Sequence, residues 1–310
     1  MPKSDYEKLS DQIEFIADEP DNKNISLLNE NSLGISAYDN EYGAHTLLKL
    51  SYLNYYLGIF TTIANSYKVK GKYSKIIFID AFSGSGLVKI KNTKHTVLGS
   101  SILAALNKKI DKVISFEIDP YRAELLSKRL NIISPGRYEV ICGDVNSEIK
   151  KIVESQITDD TIVLFFVDPE GMEPDFSELK SLMDRTKFVD IMMNYTWGVY
   201  RLEGRIKKRF NKNDLKRMQK FIPGYLRGNT PDEKLLEVFE NNFGKPRGNV
   251  VQVKSTPNKI EYSVILRVRK TYNDSKFVNP MIDFGNIISK YNGEDCVSIL
   301  KTIKGEQSTL

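Results

Sequence analysis

Cysteine, histidine and tryptophan are scarce in this chain. Cys142 and Cys296 lie far apart and in no Cys-x-x-Cys pair, and His45 and His95 are the only histidines in 310 residues. These residues supply neither a disulfide framework nor a ligand set for structural zinc, so no metal is expected and a reducing, cytoplasmic setting is. Long apolar runs are missing too. None approaches the roughly 18 residues of a membrane span, and the opening Met-Pro-Lys-Ser-Asp has no apolar signal core. No membrane association and no processing are expected. Nor does one sign of charge dominate: 45 Lys and Arg face 40 Asp and Glu. With 41% hydrophobic and 27% charged residues, the composition excludes a disordered or collagen-like chain. The length suits one large domain, or a core domain with appendages.

What is present is an alternation. Leu47, Leu50, Leu53, Leu57, Phe60 and Ala64 recur every three or four residues, which predicts a helix from His45 that ends near Gly71. Short, nearly continuous apolar runs follow at Lys75 to Asp80, Val113 to Glu117, Tyr138 to Cys142, Thr161 to Val167 and Val189 to Asn194. Between them lie helical patterns at Ser100 to Leu106, Tyr121 to Leu130, Glu148 to Glu154 and Phe176 to Asp184. Strands apolar throughout and alternating with helices predict an α/β fold with a doubly wound parallel sheet covered on both faces. Beyond Asn194 a helix over Glu233 to Phe243 is predicted. Two strands, Asn249 to Lys254 and Ile260 to Val268, read as a hairpin that closes the sheet.

Asp80-Ala81-Phe82-Ser83-Gly84-Ser85-Gly86 follows directly on the first buried strand. Gly84 and Gly86 allow a tight turn and close approach of a ligand at the edge where open α/β sheets bind cofactors. Lys89 stands where a dinucleotide fingerprint needs its third glycine, and there is no Gly-Lys-[Ser/Thr] of a phosphate loop. Pyrophosphate binding is therefore disfavoured. A carboxylate at Asp80 would repel phosphate and attract an ammonium group. Glu117 ends the second strand, where a carboxylate accepts ribose hydroxyls, with Ile118 beside it. Asp144 follows the third strand, where it would accept an adenine amine while Val145 packs on the ring. Turn glycines and strand-end acids are also ordinary furniture of any doubly wound sheet. Their order on consecutive strands gives an amino acid, a ribose and an adenine one partner each. That set points to S-adenosylmethionine as the expected cofactor, with Phe82, Ser83 and Ile118 completing the cofactor residues.

The fourth strand ends in Asp168-Pro169-Glu170-Gly171. Amino-methyltransferases of nucleic acids carry a D/N-P-P-Y/F tetrapeptide at this place, and it holds the target amine through the acid side chain and the first proline carbonyl. Asp168 and Pro169 are the expected catalytic pair, orienting a nitrogen lone pair and receiving its proton. The second proline and the aromatic residue that would stack on a flipped base are missing here. Tyr195, Trp197 and Tyr200, just past the fifth strand, are candidates for that aromatic face, although the sole Trp also suits a sheet edge. Residues 200–228 then hold ten Lys and Arg against Glu203 and Asp214, so the rest of the chain is net negative. Arg201, Arg205, Lys207, Lys208 and Arg209 head this segment. A basic patch of this kind suits a phosphate backbone, DNA or RNA, although a solvated basic helix has the same composition.

Four stretches in this order resemble the three-Cys-motif partner proteins, whose usual forms are an H/W-T-x-x-K helix, a D-x-F-A-G-x-G loop and a D-P-F-G segment. They are His45-Thr46-Leu47-Leu48-Lys49-Leu50, Phe78 through Gly86, Phe166 through Gly171, and Met193-Asn194 with Arg201. The resemblance covers roughly Tyr42 to Arg201, with a weaker echo over Tyr262 to Arg269. It implies a class I S-adenosylmethionine-dependent methyltransferase fold, in prokaryotes, often paired with a separate protein carrying three cysteines. The chain departs from the pattern with Ser83 for Ala and Glu170 for Phe. The expectation is a seven-stranded Rossmann-like core over residues 45–270 with a basic helical insertion at about 200–245. An arm or cap at 1–44 and a tail at 271–310 complete it. Its expected activity is methylation of an amino nitrogen of a nucleic-acid base or nucleotide. The alternative is a binding subunit with this fold that serves another nucleic-acid-processing protein. A nicotinamide oxidoreductase is disfavoured by the incomplete glycine pattern and by Asp80.

Overall fold

Nearly every predicted strand forms within a residue or two of its place, because runs such as Thr161 to Val167 can be buried only between two helical layers. The computed structural model of the protein describes residues 2–22, 41–171, 174–186, 188–227, 229–243, 250–267 and 278–306. The first elements are α1 (Asp5–Asn22), β1 (Glu41–Tyr42), α2 (Thr46–Val69), β2 (Lys75–Asp80), β3 (Leu87–Ile90), β4 (Thr96–Leu98) and α3 (Ser100–Leu106). Then come β5 (Lys112–Glu117), α4 (Pro120–Ile133), β6 (Tyr138–Cys142), α5 (Val145–Gln156), β7 (Thr161–Val167), α6 (Phe176–Arg185) and β8 (Phe188–Thr196). Three helices, α7 (Trp197–Lys208), α8 (Lys212–Phe221) and α9 (Pro231–Phe243), precede the hairpin β9 (Val250–Thr256) and β10 (Lys259–Arg267). The last helices are α10 (Val278–Lys290) and α11 (Gly293–Ile303).

The main sheet has the order β6-β5-β2-β7-β8-β10-β9, and β10 runs antiparallel to both its neighbours. Numbered by their own sequence, its seven strands read 3-2-1-4-5-7-6, the class I methyltransferase arrangement. The direction of winding reverses between β2 and β7, and this opens a crevice at their carboxyl ends. Alternation along each strand sorts the core into two halves. Ile76, Phe78, Leu164, Phe166 and Met192 face α1–α4, α10 and α11. Ile77, Ile79, Val163, Phe165 and Ile191 face α5–α9.

Three stretches differ from expectation. The segment after the glycine loop, read from sequence as a basic excursion, is a β3–β4 hairpin turned by Asn92 at φ +61°. Leu87, Ile90, Val97 and Leu98 bury their side chains there, while the lysines face outward. Its outer strand pairs in parallel with β1 (Glu41 with Lys89, Tyr42 with Ile90), forming a second, three-stranded sheet. Residues 5–22 are not a loose arm: Leu9, Ile13, Ile16 and Ala17, at one-face helical spacing, are all buried against the main body. The polar tract 23–40 lies outside the described residues. Likewise 278–303 is not a tail but a helical pair that closes one face, burying Met281, Phe284, Ile287, Ile288, Ile299 and Leu300. A capping box from Asn292 and Asp295 starts α11.

The stacking of Phe284 on Tyr55, with ring centroids 4.1 Å apart, makes the integration of α10 measurable. Phe284→Ala is expected to lower unfolding free energy by about 3–5 kcal/mol in urea titration. A loss below about 1 kcal/mol would show that α10 adds little to the core.

Candidate functional site

A cavity of about 890 Å³ opens at the carboxyl ends of β2, β5, β6, β7 and β8, roofed by the start of α2 and by Tyr42. Its size falls in the roughly 300–1,000 Å³ range of small-molecule sites. Most residues singled out from sequence converge on it: Phe82, Ser83, Gly84, Glu117, Ile118, Asp144, Val145, Asp168, Pro169 and Arg201 all line its walls.

The loop after β2 is clamped from several sides. Ala81 N–H donates to Phe166 O and Ser83 N–H to Phe116 O, each at 3.0 Å, so the turn is tied to strands on both sides of the crevice. Arg129 reaches from α4, almost wholly buried, and donates to Ser85 O at 2.9 Å. Gly84 (φ +61°) and Gly86 (φ +89°) both occupy the left-handed region. A Cβ on Gly86 would stand 2.8 Å from Leu126 and 3.0 Å from Ile102, whereas one on Gly84 meets nothing within 4 Å. Gly86 is thus required by packing from below. Gly84 presents bare backbone to open space, the surface a ligand needs for close approach.

Asp80 takes a different position from the one its sequence suggests. Its carboxylate does not line the cavity. It is completely buried, accepting hydrogen bonds from Ser100 Oγ at 2.5 Å, Ser101 Oγ at 2.8 Å and Phe82 N–H at 3.3 Å. Ser100, which does line the cavity, stands as the next polar group. Asp80 therefore ties the glycine loop to the start of α3, and direct contact of its carboxylate with a ligand ammonium gives way to this bracing role. Burial pushes its carboxyl up to about 6, against the downward pull of the two serines and the Phe82 N–H.

The other two acids do reach the cavity. Glu117, at the end of β5, accepts Asp119 N–H at 2.8 Å through Oε1, and a carboxylate keeps further lone pairs for ligand hydroxyls. Beside it Ile118 is 72% exposed, an apolar side chain held at the rim. Asp144 also serves as the N-cap of α5, accepting Asn146 N–H at 3.0 Å and its side-chain amide at 3.1 Å. Both the structural and the ligand-facing readings of Asp144 thus apply to one residue. Val145, buried, forms the adjacent wall.

At the far end of the cavity Asp168 is held by two residues that sequence reasoning left among the family-like motifs. Lys49, from α2, forms a short ion pair with Oδ2, and Asn194 Nδ2 donates to Oδ1 at 2.8 Å. The Lys49 ammonium also lies 5.4 Å from the Tyr262 ring centroid. His45 contacts the same ring edge-on at 5.4 Å, and burial pushes its imidazole down to about 4, so it is neutral at pH 7. Burial, with Asp168 nearby, holds the Tyr262 phenol well above its ordinary value. Tyr42 Oη donates to Glu170 Oε1 at 3.2 Å across the cavity mouth.

The aromatic candidates after β8 fare differently. Tyr195 points away from the cavity, fully buried against Tyr200 and Phe221 in the opposite core half. Strand alternation decides this, since Asn194 takes the cavity side and its neighbour must take the other. Tyr200 packs on the same core half as Tyr195. Trp197 begins α7, but its side chain lies outside the described residues. Of the predicted basic residues only Arg201 borders the cavity. Arg205, Lys207, Lys208 and Arg209 are exposed along α7 and just past its end. Arg205 pairs with Asp214 at 3.5 Å and Lys207 with Glu203 at 2.6 Å.

No protein-family model and no curated protein sequence matches the chain. Among solved structures, PH0793 from Pyrococcus horikoshii aligns with 68% of this chain at 16% identity and a TM-score of 0.39; the chain spans 64% of that protein's length. TYW2 from M. jannaschii, solved in complex with AdoMet, aligns with 66% of this chain and 75% of its own at 12% identity and a TM-score of 0.37. LPL1258 from Legionella pneumophila aligns over 75% and 91% of the two chains at 12% identity and a TM-score of 0.44. These likenesses are remote.

Asp80 carries a testable pH signature. A carboxyl held at about 6 when folded, above its unfolded value, binds its proton more tightly in the folded state. Its contribution to stability is then largest at low pH and falls as pH rises through about 4 to 6. Asp80→Asn removes that dependence. In paired urea titrations the variant should gain about 2 kcal/mol on the wild type between pH 4.5 and pH 7. A difference that stays flat across this range would place the titration elsewhere.

Proposed function

We propose that this chain is an S-adenosylmethionine-dependent methyltransferase that acts on an amino nitrogen of a nucleic-acid base or nucleotide. One observation carries the reading: a single cavity joins, in strand order, bare backbone at Gly84, the carboxylates of Glu117 and Asp144, and Asp168 at the opposite end. The fit to the cofactor rests on this donor and acceptor set. Gly84 leaves room where a Cβ would stand in open space, Glu117 suits paired ribose hydroxyls, and Asp144 with Val145 and Ile118 suits an adenine. When bound, the cofactor supplies an electrophilic methyl group.

The chain's own residues then have a limited task. Asp168 accepts an N–H of the target amine, which fixes the direction of the nitrogen lone pair. Lys49 and Asn194 donate to the two Asp168 oxygens and so keep the carboxylate from rotating. As the nitrogen gains its methyl group it must lose one proton, and Asp168 is the adjacent acceptor. The Pro169 carbonyl is the natural second acceptor on the same turn. Arg201 at the rim and the exposed cations of α7 and its C-terminal end suit a phosphate backbone leading to the cavity.

The second reading, a binding subunit for a partner such as a three-cysteine protein, draws on Glu170 and Gly171 standing where base methyltransferases carry proline and an aromatic ring. Methyl transfer by the purified chain alone separates the two. Asp168→Ala should retain calorimetric binding of S-adenosylhomocysteine while transfer of labelled methyl groups to mixed RNA and DNA falls by roughly 10²–10⁴-fold. Turnover at the wild-type rate would remove Asp168 from the chemistry, and no transfer by the wild type would favour the subunit reading.

The basic surface has its own test. Changing Lys207, Lys208 and Arg209 together to Glu should flatten the dependence of nucleic-acid affinity on salt. For duplex DNA the slope of log K against log salt should fall by roughly 0.9 for each phosphate that these cations no longer neutralise. An unchanged slope would show that these cations are merely solvated.

A further inference from the structure

The tetrapeptide at the end of β7 lacks the aromatic residue that a base methyltransferase uses to hold its target ring. We propose that Tyr42 supplies this stacking face from another part of the chain, with Glu170 fixing its angle, and that the substrate group entering the cavity is therefore a planar heteroaromatic ring. The inference rests on the reading given under Proposed function and adds to it the subsite that receives the base.

Among the described residues, five aromatic rings border the cavity: Tyr42, His45, Phe82, Phe116 and Tyr262. Phe116 is buried in the sheet. Phe82 belongs to the glycine loop at the cofactor end and packs on the core half under α5–α9. Tyr262 is 7% exposed, with the Lys49 ammonium near its ring and His45 against it edge-on. His45 is spent on that contact. Tyr42 remains: it is half-buried, and its hydroxyl reaches Glu170, two residues beyond Asp168.

The position of Tyr42 is set by backbone. β1 pairs in parallel with β3, Lys91 N–H donates to Tyr42 O at 2.9 Å, and Glu41 forms an ion pair with Lys89 at 2.6 Å. The ring thus arrives on the small second sheet, outside the main one, and is pinned at its far end by a carboxylate. This accounts for Glu170, whose acid would be ill-suited to stacking but accepts a phenol hydrogen bond. A ring fixed at backbone and hydroxyl is a preorganised platform, and a base drawn out of its stack needs such a platform to offset lost stacking.

The test uses protein saturated with S-adenosylhomocysteine and two fluorescent probes, a single-stranded oligonucleotide carrying one 2-aminopurine and the free 2-aminopurine nucleotide. Stacking on Tyr42 should quench the probe on binding. Tyr42→Phe should bind and quench like the wild type, whereas Tyr42→Leu should weaken binding roughly 5- to 150-fold, the usual worth of one base–aromatic stack. Calorimetric affinity for S-adenosylhomocysteine should be unchanged in both, which certifies the fold. Glu170→Ala should raise KM with little change in kcat, and Glu170→Gln, which keeps an acceptor, should restore it. Quenching of the oligonucleotide alone assigns the site to a polymer base, and quenching of both assigns it to the base itself; either supports the proposal. Wild-type affinity and quenching in Tyr42→Leu, or no quenching by the wild type, overturns it. Nucleic-acid methylation that persists in Tyr42→Leu at wild-type KM defeats the stacking role and leaves the methyltransferase reading standing. Tyr42-dependent probe binding without methyl transfer does the reverse.

Discussion

A parallel sheet buried on both faces brings the carboxyl ends of its strands to one edge, and everything at the site of this protein depends on that constraint. β2, β5, β6, β7 and β8 run in one direction, so the groups that follow them in sequence must meet in space. Between β2 and β7 the crossovers diverge to opposite faces, and the backbone at the strand ends is left uncovered. The glycine loop fills this gap without closing it, because its N–H groups at Ala81 and Ser83 bond to the two flanking strands while Gly84 stays bare. Glu117, Asp144 and Asp168 reach the cavity for the same reason. Each stands where a strand ends or in the first turn of chain beyond it.

Much of this was legible in the residues. The main strands announce themselves because a run such as Phe165-Phe166-Val167 has no stable place except between helical layers. The strand ends are equally visible because polar residues return there, which is how Glu117, Asp144 and Asp168 stand out. What sequence pattern did not convey is direction at the ends. Asp80 is as polar as Glu117, yet its carboxylate turns inward to Ser100 and Ser101, since two hydroxyls from the start of α3 lie closer than solvent does. Tyr195 was a reasonable aromatic candidate, but one step along a strand reverses the face, and Asn194 holds the cavity side.

The contributions of Lys49, Tyr42 and Arg129 were harder to see, for a common reason. Each comes from an element far along the chain from the group it serves: Lys49 from α2 to Asp168, Tyr42 from β1 to Glu170, Arg129 from α4 to Ser85. Local spacing carries no trace of such pairings. Of the three, only Lys49 left a mark, as part of the motif His45-Thr46-Leu47-Leu48-Lys49. The helical segments at 5–22 and 278–303 were underestimated because their apolar stripes are short and broken by charge, although Leu9, Ile13, Ile16 and Ala17 do follow one-face spacing.

The packing of α1 bears on how the chain comes to be folded. Its apolar stripe is covered in part by α11, and the two are fastened by Lys304 to Ala17 O at 2.9 Å and to Asp18 at 2.8 Å, with Lys290 to Asp5 at 2.6 Å nearby. During synthesis the first helix emerges nearly 290 residues before its last partner. At roughly 5–20 residues per second that gap lasts on the order of 15–60 seconds. Throughout it Leu9, Ile13 and Ile16 have no complete cover, so an early-synthesised helix must wait, exposed, for a late one. Maturation of this fold is thus tied to the end of translation, and the nascent chain presents a defined apolar segment to whatever receives it at the ribosome.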